Sequence, residues 1–291
     1  MSGQEPDKTD PEITGPETTG HEWDGIKEYN NPLPRWWLWT FYATIVWAVI
    51  YAILYPAIPM VTGATPGVLG YSTRGAVAEE IDRFAAMNAP LEKAIVAAEL
   101  TEISADADLA NFANRGGAAV FRTYCSQCHG AGAAGAKGYP NLLDDDWLWG
   151  GDMEAIYLTI AHGIRDDNDD DTRYSEMPAY DDILGDDELE AVVAYVLSLS
   201  GPASDADLVA AGAQVYADNC TDCHGEAGLG IREVGAPNIA DAIWLYGGDA
   251  DRVEATIRYS RYGQMPPWTT RLTEAQMRQV AVYVHGLGGG E

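Results

Sequence analysis

The chain has 291 residues, with 17 Lys and Arg against 45 Asp and Glu and a formal charge of −28. Hydrophobic residues make up 47%, which excludes disorder of the whole chain, and the length suits roughly two domains at about 150 residues each. So acidic a chain repels a phosphate backbone, which speaks against nucleic-acid binding, and attracts basic partners by a force that fades with salt.

Residues 1–35 form a polar, acidic N-terminal segment. The part before about His21 has too few apolar groups to offset the entropy of ordering and is expected to be disordered. The composition then changes sharply. Trp36 to Tyr55 reads WWLWTFYATIVWAVIYAILY, with no charge, Gly or Pro. A helix of this length spans about 30 Å, the thickness of a bilayer core. Trp36, Trp37 and Trp39 at one end and Tyr51 and Tyr55 at the other are placed like interfacial aromatic belts, and Pro56 and Pro59 end the run. A buried core helix would not be apolar on every face. A cleaved signal peptide fits poorly with the long acidic leader and the length of the run. Residues 36–60 are therefore read as one transmembrane helix. Lys27 and Arg35 precede it and the next basic residue is Arg74. That bias puts the N-terminus in the cytoplasm and everything after residue 60 in the periplasm, at a bacterial inner membrane.

Residues 61–107 have helical periodicity, with Val77, Ile81, Phe84 and Met87 three or four apart, and are read as a spacer. From residue 108 the chain repeats itself. Cys125-Ser126-Gln127-Cys128-His129 matches Cys220-Thr221-Asp222-Cys223-His224, Pro140-Asn141 matches Pro237-Asn238, and Gly150-Gly151-Asp152 matches Gly247-Gly248-Asp249. Met177-Pro178 matches Met265-Pro266. The offset is 95 at the cysteines, 97 at the tryptophans Trp147 and Trp244, and 88 at the methionines. A nine-residue surplus thus falls between Trp147 and Met177 in the first copy, most simply as the acidic stretch Asp166–Asp171. Each copy is predicted to be a small all-α domain, 108–201 and 202–291. Each has a helix before the cysteines, a second helix after Gly-Gly-Asp (Met153 to His162; Ala250 to Tyr259), a Met-Pro loop and a closing helix. Thr273 with Gln276 has capping-box spacing at the start of the last helix.

All four cysteines belong to C-x-x-C-H, the pattern of c-type haem attachment. On a helical turn the two thiols share a face and reach two vinyl groups of one macrocycle, while the following histidine lies beneath the iron. A covalent haem also supplies much of the core that so small a domain lacks. A zinc site or a redox dithiol would leave the repeated Met-Pro without a role. The spacing thus predicts two covalent haem c groups, one on Cys125 and Cys128 with His129, the other on Cys220 and Cys223 with His224. Of the methionines after Met1, Met177 and Met265 alone correspond under the repeat. They are the candidate sixth ligands, and the simplest pairing is within each copy, Met177 with His129 and Met265 with His224. His162 and His285 are weaker candidates, since Tyr259 and Leu197 stand at their counterparts. Trp147 and Trp244 are expected to pack the cores, and the Asp runs to be solvated faces that help dock a basic donor.

Taken together, the tandem C-x-x-C-H units resemble class I cytochrome c domains. The leader Asp24-Gly25-Ile26-Lys27-Glu28-Tyr29-Asn30-Asn31-Pro32-Leu33-Pro34-Arg35-Trp36-Trp37, running straight into one span, resembles the dihaem subunit III of cbb3-type cytochrome c oxidases. The resemblance implies an electron-input subunit. It would take electrons from a basic donor cytochrome c, or from the cytochrome bc1 complex, and pass them to the monohaem subunit and the catalytic haem–copper subunit, with membrane lipid around the span. Irons that are both six-coordinate leave no open position for oxygen, so no catalytic residue is assigned. The residues alone also allow a dihaem carrier for another membrane oxidoreductase, such as a dehydrogenase or nitric-oxide reductase.

Overall fold

The computed structural model describes residues 17–202 and 205–291; residues 1–16, which include most of the leader expected to be disordered, lie outside the described residues. The chain divides into a part up to Ala85 and a part from Ala86, each taken separately.

In the first part, a short antiparallel hairpin, β1 (Thr18–Trp23) and β2 (Ile26–Tyr29), precedes the span. It is a departure from the all-helical expectation, made possible by Asp24-Gly25, both at positive φ, which form the tight turn. Helix α1 (Arg35–Leu54) carries no buried residue, and its mean hydropathy is 1.7, enough in length and composition to cross a membrane. It stops six residues short of the predicted end at residue 60, because Pro56 cannot continue it. Its aromatics run in ladders, with Trp37 on Phe41 at 5.4 Å and Tyr51 on Tyr55 at 5.0 Å. After a two-residue hairpin, β3 (Pro59–Met60) and β4 (Gly63–Ala64), the chain folds back. Val68 and Leu69 then donate to the carbonyls of Ile53 and Leu54, satisfying groups that the helix end leaves open. Helix α2 (Thr73–Ala97) begins in this part and ends in the next, and Pro90 lies inside it without ending it.

In the second part, helices α3 (Leu100–Ala105) and α4 (Ala107–Val120) lead into a π-helical turn, Phe121–Cys125, and a short helix α5 (Ser126–His129). Then come α6 (Met153–His162) and α7 (Asp186–Ser200). The second copy repeats them as α8 (Ala206–Asn219), α9 (Thr221–His224), α10 (Ala250–Tyr259) and α11 (Glu274–His285). The repeat extends to the caps. Asp106 accepts from the amides of Asp108 and Leu109 in the first turn of α4, and Asp205 from those of Asp207 and Leu208 in the first turn of α8. The Asp of each Gly-Gly-Asp caps α6 or α10. The predicted box at Thr273 and Gln276 is formed.

The copies do not close on themselves. Helix α4 of the first copy packs on α11 of the second, and α8 of the second packs on α7 of the first. Helices α6 and α10 likewise lie against α11 and α7. The expected domains 108–201 and 202–291 therefore describe the repeat, while the packed bundles are α4–α5–α6–α11 and α7–α8–α9–α10.

The physical reason is visible at the crossings. Gly117 on α4 sits so near α11 that a Cβ there would collide with the Gln279 carbonyl and the Tyr283 side chain. Gly212 on α8 stands in the same relation to the Ala191 carbonyl and Tyr195. Beside each glycine an aromatic pair locks the crossing, Phe121 with Tyr283 at 5.6 Å and Tyr195 with Tyr216 at 5.0 Å.

Two main cores result. One joins Val120, Phe121, Ile156 and Ile160 to Trp268, Leu272, Val280 and Val284. The other joins Tyr180, Leu189, Val192 and Val196 to Tyr216, Val253 and Ile257. A smaller cluster of Ile95, Leu100, Ile103 and Ala113 lies at the start of this part, where Arg278 donates to the Ala98 carbonyl at 2.7 Å.

Candidate haem sites

In both copies the C-x-x-C-H stretch runs from the end of the preceding helix through one short helical turn, with Gly130 and Gly225 at positive φ turning the chain away after the histidine. The loop that follows is wired alike in the two copies. Gly135 and Gly230 donate to the carbonyls of His129 and His224, and Leu142 and Ile239 donate back to Ala133 and Gly228. This brings Pro140 and Pro237 over the imidazoles. His129 Nδ1 lies 3.1 Å from the Pro140 carbonyl, and His224 Nδ1 lies 3.1 Å from that of Pro237. A carbonyl only accepts, so Nδ1 carries the proton and Nε2 keeps its lone pair for a metal. Burial pushes both imidazoles below the ordinary histidine range, with the carbonyl hydrogen bond opposing it. Each ring is thus neutral, as an iron ligand must be. The sequence marks Pro140 and Pro237 as part of the repeat, but their role in orienting the histidine emerges only from the fold.

Cys125 and Cys220 are half-buried, Cys128 and Cys223 are exposed, and none is paired in a disulfide. Burial, with the neighbouring cysteine, pushes the thiols of Cys125 and Cys220 up to about 11. A redox dithiol or a zinc thiolate calls for the opposite shift. Four free thiols, two imidazoles with open Nε2 atoms and two thioethers make a donor set that fits two covalently attached haems.

The helix exchange decides which methionine is near which motif. Met265 packs against the core that Cys125 also borders, and Met177 against the core bordered by Cys220. Backbone bonds hold this arrangement. Ile164 and Met265 exchange bonds of 2.9 and 3.0 Å, and Trp268 donates to the carbonyls of Ile160 and Ala161. At the other site Tyr180 donates to Ile257, Asp181 donates to Arg258, and the Ser260 hydroxyl donates to the Met177 carbonyl. The same-copy pairing of Met177 with His129 and Met265 with His224 is therefore not the one that the packing favours.

The remaining candidates lie elsewhere. His162 pairs with Asp169 at 3.1 Å in the acidic surplus loop, and His285 Nε2 faces the Glu291 carbonyl at 2.9 Å. Trp147 packs on the first core and donates to the Gly289 carbonyl, and Trp244 packs on the second. The acidic stretch is not wholly a solvated face, since Asp166 is buried and accepts from the amide and side chain of Asn168.

The comparisons with known proteins agree along the length of the chain. Residues 15–62 match the N-terminal domain of cytochrome oxidase-cbb3, FixP. Residues 115–200 match the cytochrome c family, and residues 207–284 match cytochrome c oxidase, cbb3-type, subunit III. A cbb3-type cytochrome c oxidase subunit CcoP of Cereibacter sphaeroides is 60% identical over 92% of this chain and 93% of its own length. One of Rhodobacter capsulatus is 55% identical over 92% and 94%. The corresponding subunit FixP of Rhizobium meliloti is 51% identical over 93% of each. The chain belongs to the CcoP/FixP family of cbb3-type oxidase subunits, membrane-anchored cytochromes c that transfer electrons through two covalently bound haem c groups.

Proposed function

We propose that this subunit relays single electrons from a basic donor cytochrome c, or from the cytochrome bc1 complex, to the monohaem and haem–copper subunits of its oxidase. When bound, haem c supplies an iron that alternates between the ferric and ferrous states. The chain's own residues hold, orient and shield that iron. Cys125 and Cys128 attach one haem and Cys220 and Cys223 the other. His129 and His224 present Nε2 because their Nδ1 protons are held by Pro140 and Pro237. Met265 would serve the haem held by His129, and Met177 the haem held by His224, crossing between the copies. A methionine thioether added to a histidine ligand would raise the reduction potential, which suits a carrier that accepts electrons. The span, Arg35–Leu54, holds the subunit among membrane lipid with its N-terminus in the cytoplasm and its haem-bearing part in the periplasm. Lys27 and Arg35 before the span, against Arg74 as the next basic residue, support that orientation.

The observation that carries the crossed assignment is the sharing of one core by Cys125 and Met265, and of the other by Cys220 and Met177. The test removes one haem at a time. With Cys220→Ala and Cys223→Ala, a pyridine haemochrome assay should count one haem. Its methionine–iron absorption should then vanish in Met265→Ala and survive in Met177→Ala. The reverse outcome restores same-copy ligation. A high-spin iron that binds carbon monoxide in the unmutated protein overturns the carrier reading altogether.

A further inference from the structure

From Trp36 to Thr73 the chain carries no Asp, Glu, Lys or Arg over 38 consecutive residues, although charged residues are 21% of the whole. The span accounts for this only up to Leu54. The segment from Tyr55 to Ser72 is equally uncharged, and it turns its apolar side chains outward. Ile58, Met60, Val61, Val68 and Leu69 are all exposed, Val61 completely. Apolar surface gathered in this way is unfavourable in water and marks a face that something covers.

The backbone of the same segment is closed on itself. The amides of Ala57 and Ile58 donate to the Thr65 hydroxyl at 3.4 and 3.2 Å, and the Thr65 amide donates to the Ile58 carbonyl at 2.9 Å. Strands β3 and β4 pair Pro59 with Ala64 and Met60 with Gly63. The segment then folds back onto the last turn of α1, where Val68 and Leu69 donate to the carbonyls of Ile53 and Leu54. Gly67 permits that approach, since its φ is +68° and a Cβ there would collide with the Leu54 carbonyl. Tyr71 meets Tyr55 edge-on at 5.6 Å. Val68 and Leu69 are therefore level with the end of the span. A 20-residue helix reaches about 30 Å, so its last turn lies at the edge of the hydrocarbon core. Outward apolar side chains over an internally satisfied backbone are what that depth demands. A protein partner would also call for polar contacts, about one hydrogen bond per 100–200 Å², and this segment spends its polar groups on itself.

We propose that residues 56–72 make a second membrane contact, a shoulder laid in the boundary between headgroups and acyl chains beside the C-terminal end of α1, with phospholipid as its partner. The inference rests on α1 crossing the membrane. The hairpin tip, Met60 and Val61, and the returning pair, Val68 and Leu69, enter the apolar edge of the leaflet. The charges that resume at Arg74, Glu79 and Glu80 mark where α2 meets water. Two contacts in place of one resist tilting and turning about the span, so α2 starts from a fixed point at the membrane surface.

The experiment places a nitroxide on single added cysteines of the haem-loaded subunit in its oxidase, held in vesicles of phosphatidylethanolamine and phosphatidylglycerol. The four native cysteines of the chain are bound to haem and do not label, and oxidase with the unmutated subunit gives the baseline. Power saturation compares collisions with oxygen, which concentrates among acyl chains, and with a nickel chelate, which stays in water. At Val61→Cys and Val68→Cys oxygen collisions should exceed nickel collisions severalfold, and at the exposed Glu79→Cys the ratio should invert. Nickel in excess at Val61→Cys and Val68→Cys would put the shoulder in water and overturn the proposal. Collisions with neither probe would bury it against another subunit and overturn it too. Ile50→Cys, within the span, is read first. Nickel in excess there refutes the span itself, whereas oxygen in excess at Ile50→Cys with nickel in excess at Val61→Cys refutes the shoulder alone.

Discussion

The exchange of helices can be tested by thermodynamic coupling. Gly117 meets α11 and Gly212 meets α7, and in both cases the obstacle to a Cβ is a backbone carbonyl as well as a tyrosine side chain. Replacing either glycine by alanine should gain about 1 kcal/mol of helix propensity. It should lose about 1–3 kcal/mol to overpacking, near the upper end because a carbonyl cannot rotate away. The net expectation is a loss of about 1–2 kcal/mol, or about 2–4 °C in melting temperature per kcal/mol for a fold of this size. Tyr283→Leu and Tyr195→Leu should each lose an aromatic pair worth about 0.5–1.5 kcal/mol beyond its area. The informative quantity is the double-mutant cycle, measured by urea unfolding of the haem-loaded protein. Gly117→Ala with Tyr283→Leu, and Gly212→Ala with Tyr195→Leu, should couple by at least about 0.5 kcal/mol, as contacting residues do. Gly117→Ala with Tyr195→Leu, and Gly212→Ala with Tyr283→Leu, should add to within about 0.3–0.5 kcal/mol. Coupling within each copy instead, 117 with 195 and 212 with 283, would refute the exchange and with it the crossed ligands.

Further outcomes follow from the same structure. Burial, and then Asp241, Asp144 and Asp145, push the Asp146 carboxyl up to about 6 from the usual 3.8. Its stabilising contribution is therefore complete below pH 3.8 and lost as the pH rises through about 6. Asp146→Asn should stabilise the fold at pH 7.5 by on the order of 1 kcal/mol, less than the full shift implies because the group is half-exposed and screened, and should change nothing at pH 3.5. Thermal melts at the two pH values check this. Thr273→Ala removes the side-chain bond to the Gln276 amide and should cost about 1 kcal/mol, read as earlier loss of the methionine–iron absorption on heating. With a formal charge of −28, electron uptake from a basic donor cytochrome should slow as ionic strength rises, while uptake from a neutral chemical reductant should not. Stopped-flow measurements with the two reductants separate these cases.

Much of this molecule can be read without coordinates because its strongest signals are local. A run of 20 apolar residues, a C-x-x-C-H turn, an Asp before a helix and the box at Thr273 and Gln276 act within a few positions of themselves, and α6 and α10 begin and end where their periodicity says. What the repeat cannot tell is which copy of an element packs on which. Two homologous closing helices present the same face to two homologous opening helices, so Gly117 would accept Tyr195 as readily as Tyr283 on sequence grounds. The choice depends on how the connection before each Met-Pro runs, and here the nine-residue surplus becomes intelligible. Both connections pass from one bundle to the other. The second is short, Ser260 to Gln264 between Tyr259 and Met265, and Met265 pairs directly with Ile164. Two chains cannot occupy one path, so the first connection, Gly163 to Glu176, must travel further to reach Met177. It does so as a closed loop, with Arg165 and Arg173 bonded at its neck, Asp166 and Asn168 bonded inside it, and Arg165 gripping the Gly263 carbonyl of the short connection. An insertion that reads in the sequence as a solvated acidic run is, in the fold, the length of chain that lets two equivalent crossings pass each other.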